Sequence, residues 1–503
     1  MRPAVALLFA TVLFLAAPDP AGAGSQPPVT DPVSGPTASG PDVIAAGAGV
    51  DLVSDVTGYF TNDASGATYV PLAPARLLDT RSGNGLDGMF ASGLPRSVQI
   101  AGRDPVPPEA VAVTVNVTVT AQTSAGYVSV GPTMSSKPST STLNFPRGDN
   151  RANGTTVALD PDGRLAAVFK GKRGPNYPSW DSRYHNEWEL LVAIRDIEIA
   201  HPDIVDVFQV GKSYYGRPIW AAKVSDNVQE DEAEPEVLFD ALHHAREHLT
   251  IEQILYLFDQ LASKYDTDAS IHDLVDGREV WFIFAVNPDG WAYDLGGSPY
   301  RGWRKNRQPN PGSTAVGTDI NRNYDYRWGC CGGSSGNKSA WNYRGSSPFS
   351  ARETRVVRDF VKSRVVGGVQ QIRTHVTLHT NGELILYPYG YTYTDIPSDM
   401  TVDDHRTFVA MAGAMAKLNG FTAKQSSDLY KTDGDQIDWM YGRHGIFSFT
   451  FELYPTETVA KPTDHEPPDE VIAAQNARNR SALLYLIEMA ACPYAAIGKT
   501  SKC

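Results

Sequence analysis

The chain has 503 residues, 42% of them hydrophobic and 20% charged, with a formal net charge of -13 at pH 7. That is a globular composition on a chain too long for one ordinary core, so two domains are expected. The acidic balance argues against nucleic acid as a partner, because phosphate binding needs a basic patch, and it leaves peptide substrates open.

In chain order, Met1-Arg2 comes first, then an apolar run from Ala4 to Ala17, then Ala21-Gly22-Ala23. A charged start, an apolar stretch and a small-residue cleavage site read as a secretory signal peptide over residues 1–23. The run is too short to span a bilayer, and no later segment reaches about 18 consecutive apolar residues. The expectation is a secreted, extracellular protein in which disulfides are permitted. Residues 24–42 are rich in Gly, Pro, Ser and Thr and read as a flexible linker.

Residues 43–170 read as β-rich. Over 111–119 valine alternates with small or polar residues at period two, the pattern of a half-buried strand. Shorter runs at 127–130 and 142–145 are separated by Gly, Pro and Asn clusters, which predicts a small antiparallel sandwich or barrel. A second linker covers 171–179.

The pattern then changes. Trp188, Leu191, Ile194 and Ile197 recur at helical spacing over 186–200. Strands are expected at 237–242, 279–286, 371–379 and 447–453, and helices near 250–264, 352–364, 403–418 and 468–490. That alternation predicts an α/β domain over residues 180–491, with a mixed, mostly parallel sheet flanked by helices. Residues 287–344 are Gly- and Asn-rich and read as one long irregular stretch; loops of that length tend to be functional.

The cysteines Cys330, Cys331, Cys492 and Cys503 allow three pairings. Cys492 with Cys503 is favoured, stapling a C-terminal tail at 492–503 and leaving Cys330 with Cys331 as a vicinal bridge.

His244 and Glu247 form a His-x-x-Glu pair just after the apolar run at 237–242. A buried strand ending in such a pair puts an imidazole and a carboxylate at the carboxyl edge of a sheet, where open α/β folds place their sites. A His and a Glu are two of the three protein ligands of a catalytic zinc, whose fourth position stays open. Alone, the pair is a weak signal, and a solvated loop is the commoner reading. Four further motifs follow it in order. They are Val286-Asn287-Pro288-Asp289-Gly290, Trp303-Arg304-Lys305-Asn306-Arg307, Asp319-Ile320-Asn321-Arg322-Asn323 and Leu378-His379-Thr380-Asn381. Ser448-Phe449-Thr450-Phe451-Glu452-Leu453 completes the series.

With these motifs, residues 180–490 resemble the zinc metallocarboxypeptidases, the family of the pancreatic A and B enzymes and their secreted bacterial relatives. The resemblance implies one Zn2+ per chain, held by His244, Glu247 and His379. It implies Glu452 as the general base toward water that the metal activates, and Arg304 as a stabiliser of the oxyanion. Asn321 and Arg322 would hold the substrate's terminal carboxylate, the arginine through two parallel hydrogen bonds. Tyr430 would close over that carboxylate, and Arg246 would line the path to it. The run Tyr-x-x-x-Gly-x-x-Ile-Asp-Trp at 430–439 resembles the family's specificity loop, with Ile437 on an apolar pocket floor. Asp435 stands where some bacterial relatives carry an acid and accept apolar and basic C-terminal residues alike. The implied activity is therefore removal of C-terminal residues from peptides and proteins, with Leu, Phe or Met on the floor and Lys or Arg paired to Asp435. His243 and His375 are expected to pack or hydrogen-bond rather than ligate, although His375 shares a strand face with His379.

Two other readings compete. An amidase or acylase acting on cell-wall peptides or acyl amino acids would keep the zinc, but need not grip a terminal α-carboxylate as Asn321, Arg322 and Tyr430 would. A surface-binding protein with a vestigial zinc domain is disfavoured by the complete ligand set together with Glu452.

Residues 70–170 resemble a β-rich module of secreted and surface proteins of actinobacteria. The matching pieces are Pro74-Ala75-Arg76-Leu77-Leu78-Asp79-Thr80-Arg81, Asn116-Val117-Thr118-Val119-Thr120 and Ser141-Thr142-Leu143-Asn144-Phe145. Residues 55–60 look like the tail of such a module, from either a truncated repeat or a swapped strand order. The resemblance implies cell-surface or cell-wall association without catalysis. A monomer is expected.

Overall fold

Valine alternation builds the N-terminal part. In β5 (Ala110–Thr120), Val113, Val115, Val117 and Val119 are buried, while Thr114, Asn116 and Thr118 between them stay half-buried. The computed structural model describes residues 49–503 except 64–65, 121–125, 146–149, 172–176, 298–299 and 457–464. The signal peptide at 1–23, the linker at 24–42 and most of the linker at 171–179 lie outside the described residues.

One sheet has the order β2 (Gly66–Asp79), β1 (Gly49–Asp63), β5, β8 (Arg151–Ala158), with β3 (Phe90–Ala91) paired to β1. The other runs β4 (Arg96–Gln99), β9 (Arg164–Gly171), β6 (Gly126–Gly131), β7 (Leu143–Phe145). All pairings are antiparallel. Val113 and Val117 of one sheet share a core with Val128, Phe145 and Phe169 of the other, which makes a sandwich. Residues 55–60 lie inside β1, bonded to β5 on one side and β2 on the other. They are part of a central strand of this sandwich.

The second part is an eight-stranded mixed sheet. Its order is β10 (Val205–Lys212), β11 (Pro218–Val224), β13 (Glu279–Ile283), β12 (Glu236–Ala241), β16 (Ile372–Gly382), β19 (Phe447–Thr456), β17 (Leu384–Tyr387), β18 (Thr422–Gln425). The centre is parallel: β12 pairs in parallel with β13 and β16, and β16 with β19. Every residue of β12 and β13 is buried, as expected where helices cover both faces. A two-stranded ribbon, β14 (Val365–Val366) with β15 (Val369–Gln370), stands apart.

The helices are α1 (Glu187–Ala200), α2 (Leu249–Ser263), α3 (Ala269–Val275), α4 (Pro288–Leu295), α5 (Arg352–Ser363), α6 (Val402–Asn419), α7 (Gln436–His444) and α8 (Ile472–Met489). α2 packs on β12, β16 and α8, α6 on β17 and β18, α5 on β10 and α7 on β19. Local chemistry starts them. Asn186 accepts from Trp188 N and Glu189 N while Glu189 returns to Asn186 N, a capping box worth about 1 kcal/mol. Among the described residues no helix is long and apolar enough to cross a membrane.

The sequence reading missed β10, β11, β17, β18, α3 and α7. The stretch 287–344, expected to be irregular throughout, opens with α4, capped by Asn287 with Pro288 at its first position. Both disulfides are formed, Cys492 with Cys503 and Cys330 with Cys331. The tail folds into two 3-10 turns, and Tyr494 donates to Asp404 of α6.

Candidate metal centre and substrate cleft

The site begins where β12 stops. Leu242 has φ +58°, a left-handed conformation that turns the chain sharply off the sheet edge. Asn287 braces that turn by donating through Nδ2 to the His243 carbonyl at 3.0 Å. The next turn carries His244 and Glu247. β16 lies beside β12 with Ala241 opposite Leu378, so His379 emerges at the same edge. β19 lies beside β16 with Glu452 opposite His379. Three adjacent parallel strands thus deliver four side chains to one point at their carboxyl ends.

His244 Nδ1 lies 2.7 Å from Glu247 Oε1, and His379 Nδ1 lies 2.9 Å from Glu247 Oε2. The two Nδ1 atoms are 3.1 Å apart, and all three residues are buried. Two ligands about 2.0–2.1 Å from a tetrahedral zinc lie about 3.3–3.4 Å apart, so these atoms stand somewhat closer than bound ligands would and a small outward shift admits the ion. Burial and the neighbouring Arg304 lower the His244 pKa, which favours the neutral imidazole a metal needs. The ligands are oriented from behind. His244 Nε2 faces Asp319 Oδ1 at 3.3 Å, and His379 Nε2 faces Thr377 Oγ1 at 3.3 Å. Burial would raise Asp319, but Arg304, His244 and Arg322 hold its carboxyl far below the usual carboxylate range.

Glu452 faces the same point. Burial, with Glu247 adding to it, pushes its carboxyl up to about 7, against the pull of His379 and Arg304. His243 and His375 do not reach the ligand cluster. His243 Nε2 pairs with the Tyr324 hydroxyl at 2.9 Å, and His375 bridges Ser448 Oγ at 2.7 Å and Asp240 Oδ2 at 3.0 Å.

A cleft of about 230 Å3 opens onto this cluster, and it is lined by Arg246, Arg304, Asn321, Arg322, Tyr430, Asp435, Ile437 and Glu452. Every residue singled out as a ligand, catalytic or substrate-binding group therefore lies at one place. Arg304 is anchored on Asp319 by an ion pair in which Nε and Nη2 each stand 3.0 Å from Oδ2. Arg322 is buried, with Nη1 donating to the Asn321 carbonyl at 2.6 Å and Nε without a partner. The Tyr430 ring stands 5.9 Å from the Arg322 guanidinium at the exposed rim. Asn321 Oδ1 accepts from Gln436 N at 2.9 Å, which ties the cleft floor to α7.

Asp435 is not a solvated turn residue. It is buried and caps α7: Oδ1 accepts from Asp438 N at 2.9 Å, and Oδ2 accepts from the Thr432 hydroxyl. Burial raises its pKa, against the nearby Arg322. Ile437, two residues further on, is buried.

Sequence reasoning assigned no role to Asp319, Trp341 or His465. Asp319 carried a signal, since it stands two residues before Asn321 and caps the 3-10 turn there. Trp341 is 56% exposed, with its ring 4.9 Å from the Arg304 guanidinium. It sits with His465 on the cleft wall, and nothing local in the sequence marks either. A larger cavity, about 830 Å3, opens between the sandwich and the mixed-sheet domain beside Phe90, Trp188 and Trp220, and it contains none of the ligands.

A family model described as zinc carboxypeptidase matches residues 190–480. A zinc carboxypeptidase of Saccharothrix mutabilis subsp. capreolus is 47% identical over 325 residues, covering 65% of this chain and 74% of that protein. Carboxypeptidase A1 of Rattus norvegicus is 32% identical over 304 residues, covering 60% and 69%. Among solved structures, thrombin activatable fibrinolysis inhibitor is similar with a TM-score of 0.55 at 25% identity, covering 61% of this chain and 74% of that one. Carboxypeptidase A from Helicoverpa armigera shares the fold with a TM-score of 0.54 at 24% identity, covering 64% and 76%.

Proposed function

The chain belongs to the zinc carboxypeptidase family, and from that premise we propose a secreted enzyme that removes C-terminal residues one at a time. In this reading Glu452 is the general base, and the pocket accepts apolar and basic side chains. Members of the family are metallocarboxypeptidases that use one zinc and act on peptide C-termini.

One observation carries the reading. Arg246, Arg304 and Arg322 all line the cleft, and Arg246 and Arg322 each keep a buried guanidinium nitrogen without a hydrogen-bond partner among the described residues. An unpaired buried donor on a cation is costly, and a substrate carboxylate between Arg322 and Asn321 removes that cost. An acylase has no need of such a grip. When bound by His244, Glu247 and His379, zinc supplies a Lewis acid for water and the scissile carbonyl, and its charge favours ionised Glu452.

The other steps belong to the side chains. Glu452 takes a proton from the attacking water and passes it to the leaving amine. Arg304, held on Asp319, turns its guanidinium to the oxyanion as charge develops there. Tyr430, on the rim above Arg322, closes the terminal carboxylate off from water. Ile437 takes an apolar side chain, and Asp435 meets a Lys or Arg. The Asp435→Asn variant is expected to lower kcat/KM for a C-terminal Arg substrate at least about tenfold relative to Leu, because it removes a charge-assisted bond. An unchanged ratio excludes Asp435 as the basic determinant.

The test of the activity uses two synthetic peptides that differ only in a free or amidated C-terminus. Stepwise trimming of the free acid alone, abolished by a chelator and read by mass spectrometry, is the expected result. Trimming of neither peptide by zinc-loaded protein would favour the amidase reading. Export rests on residues 1–23 and on both disulfides, and a mature N-terminus just after Ala23 in culture supernatant would support it. The sandwich would then hold a monomeric enzyme at the cell surface.

A further inference from the structure

Behind the cleft wall a second set of ligand-type atoms converges. His248, at the start of α2, Asp294 near the end of α4, and Glu466 present Nε2, Oδ2 and a carboxylate oxygen within 4.8 Å of one another. His248 is 1% exposed and Asp294 is fully buried. His248 Nε2 and Asp294 Oδ2 are 3.1 Å apart but not aligned as a hydrogen bond. Both atoms, together with Glu466 Oε1, have no hydrogen-bond partner among the described residues.

The remaining valences are already used in ways that aim these atoms inward. Asp294 Oδ1 accepts from Trp303 N at 2.6 Å, which leaves Oδ2 for the cluster. The His248 ring is fixed edge-on against Tyr177 and Tyr300, at centroid distances of 5.1 and 5.3 Å. The Tyr184 hydroxyl donates to the Pro467 carbonyl at 2.7 Å, which holds the segment bearing Glu466. Glu466 lies against Asp294 beside the Arg246 guanidinium, and burial together with the Asp294 charge pushes its carboxyl up.

We propose that His248, Asp294 and Glu466 form a second metal site, for a divalent ion of the zinc or manganese class. An imidazole nitrogen with two carboxylates suits such ions better than calcium, which prefers oxygen alone. The ion ties the starts and ends of three elements together beside Arg246, and pins the segment whose His465 lines the cleft. Other acidic groups differ in kind. Asp231, Glu236 and Glu279 already share Arg364.

The test uses the full chain stripped of metal, re-equilibrated with Zn2+ and counted by elemental analysis, alongside crystals read by zinc anomalous scattering. The expected result is two ions per wild-type chain, with an anomalous peak about 2.0–2.2 Å from each of the three ligand atoms. Glu466→Gln is expected to lose that peak and one ion, while His379→Gln loses only the other. A single ion in the wild type overturns the proposal. So does a second ion that survives Glu466→Gln, since it must then sit elsewhere. Because the anomalous map is read on wild-type crystals, a variant that fails to fold does not blunt the test.

Discussion

Asp319 holds more of the site together than any ligand does. It orients His244 through Oδ1, anchors Arg304 through Oδ2, and caps the turn that presents Asn321 and Arg322. One buried carboxylate therefore sets the metal's imidazole and the oxyanion's guanidinium in a single frame. Glu452 depends on that frame but has a separate task, so its removal should touch rate alone. Glu452→Gln is expected to lower kcat by about 10²–10⁴ with zinc content intact and KM little changed, measured by steady-state kinetics and elemental analysis. Arg322 acts on binding. Arg322→Met should cost about 1.5–3 kcal/mol of substrate interaction, a loss of about 10–150-fold in kcat/KM on free-acid peptides, entering mainly through KM. If KM is unmoved, Arg322 does not hold the terminal carboxylate.

At the scale of elements, the specificity loop is held from both sides. Asp433 accepts from Gly329 N, Cys331 N and Gly333 N at 3.3, 3.2 and 2.9 Å, so the loop with the vicinal disulfide docks onto it. Across the pocket, Asp438 accepts from Gly390 N and Tyr391 N at 2.8 and 3.1 Å. Gly390 is needed there for space, because a Cβ would come 2.0 Å from Thr432 Oγ1 and 2.8 Å from Asp435 Oδ2. Gly390→Ala is therefore expected to destabilise the fold by about 1–3 kcal/mol, read by urea unfolding. It should also disturb the Arg-to-Leu substrate ratio, since Asp435 must shift. Unchanged stability with an unchanged ratio would mean that the loop yields freely.

For the whole molecule, the described residues form one compact unit with two distinct cores. The sandwich meets the catalytic domain at Trp188, where Lys170 lies 5.6 Å from the ring and Gly93, at φ +78°, lets the backbone pass. Global stability should respond to acid through His243, which is buried, and His465, which is half-buried. Burial lowers His243 to about 3 and His465 to about 4, against about 6.5 in an unfolded chain. The unfolded chain thus binds more protons across that window, so stability present above pH 6.5 is lost as pH falls toward 3. The urea midpoint of the metal-free protein is expected to drop steadily from pH 7 to pH 4, and less steeply in His465→Asn. A flat profile would contradict the assignment.

The residues by themselves determined the chemistry: a His-x-x-Glu pair on one turn, a third histidine, a glutamate on a strand, and arginines and an asparagine in short motifs. Such groups are legible because ligand type and local spacing are properties of a few adjacent residues. Long strands and helices were legible for the same reason, through period and caps. β17 and β18, four residues each, are too short to show a period, and α7 lay hidden inside a run read as a loop. Tertiary structure alone decided that Asp319 would stand behind His244, that Asp435 would be buried, and that Trp341 and His465 would wall the cleft. It alone brought Glu466 to His248 and Asp294. Those contacts join residues far apart in the chain, and their distances are set by the register of parallel strands and the packing of helices on them, which no local pattern encodes.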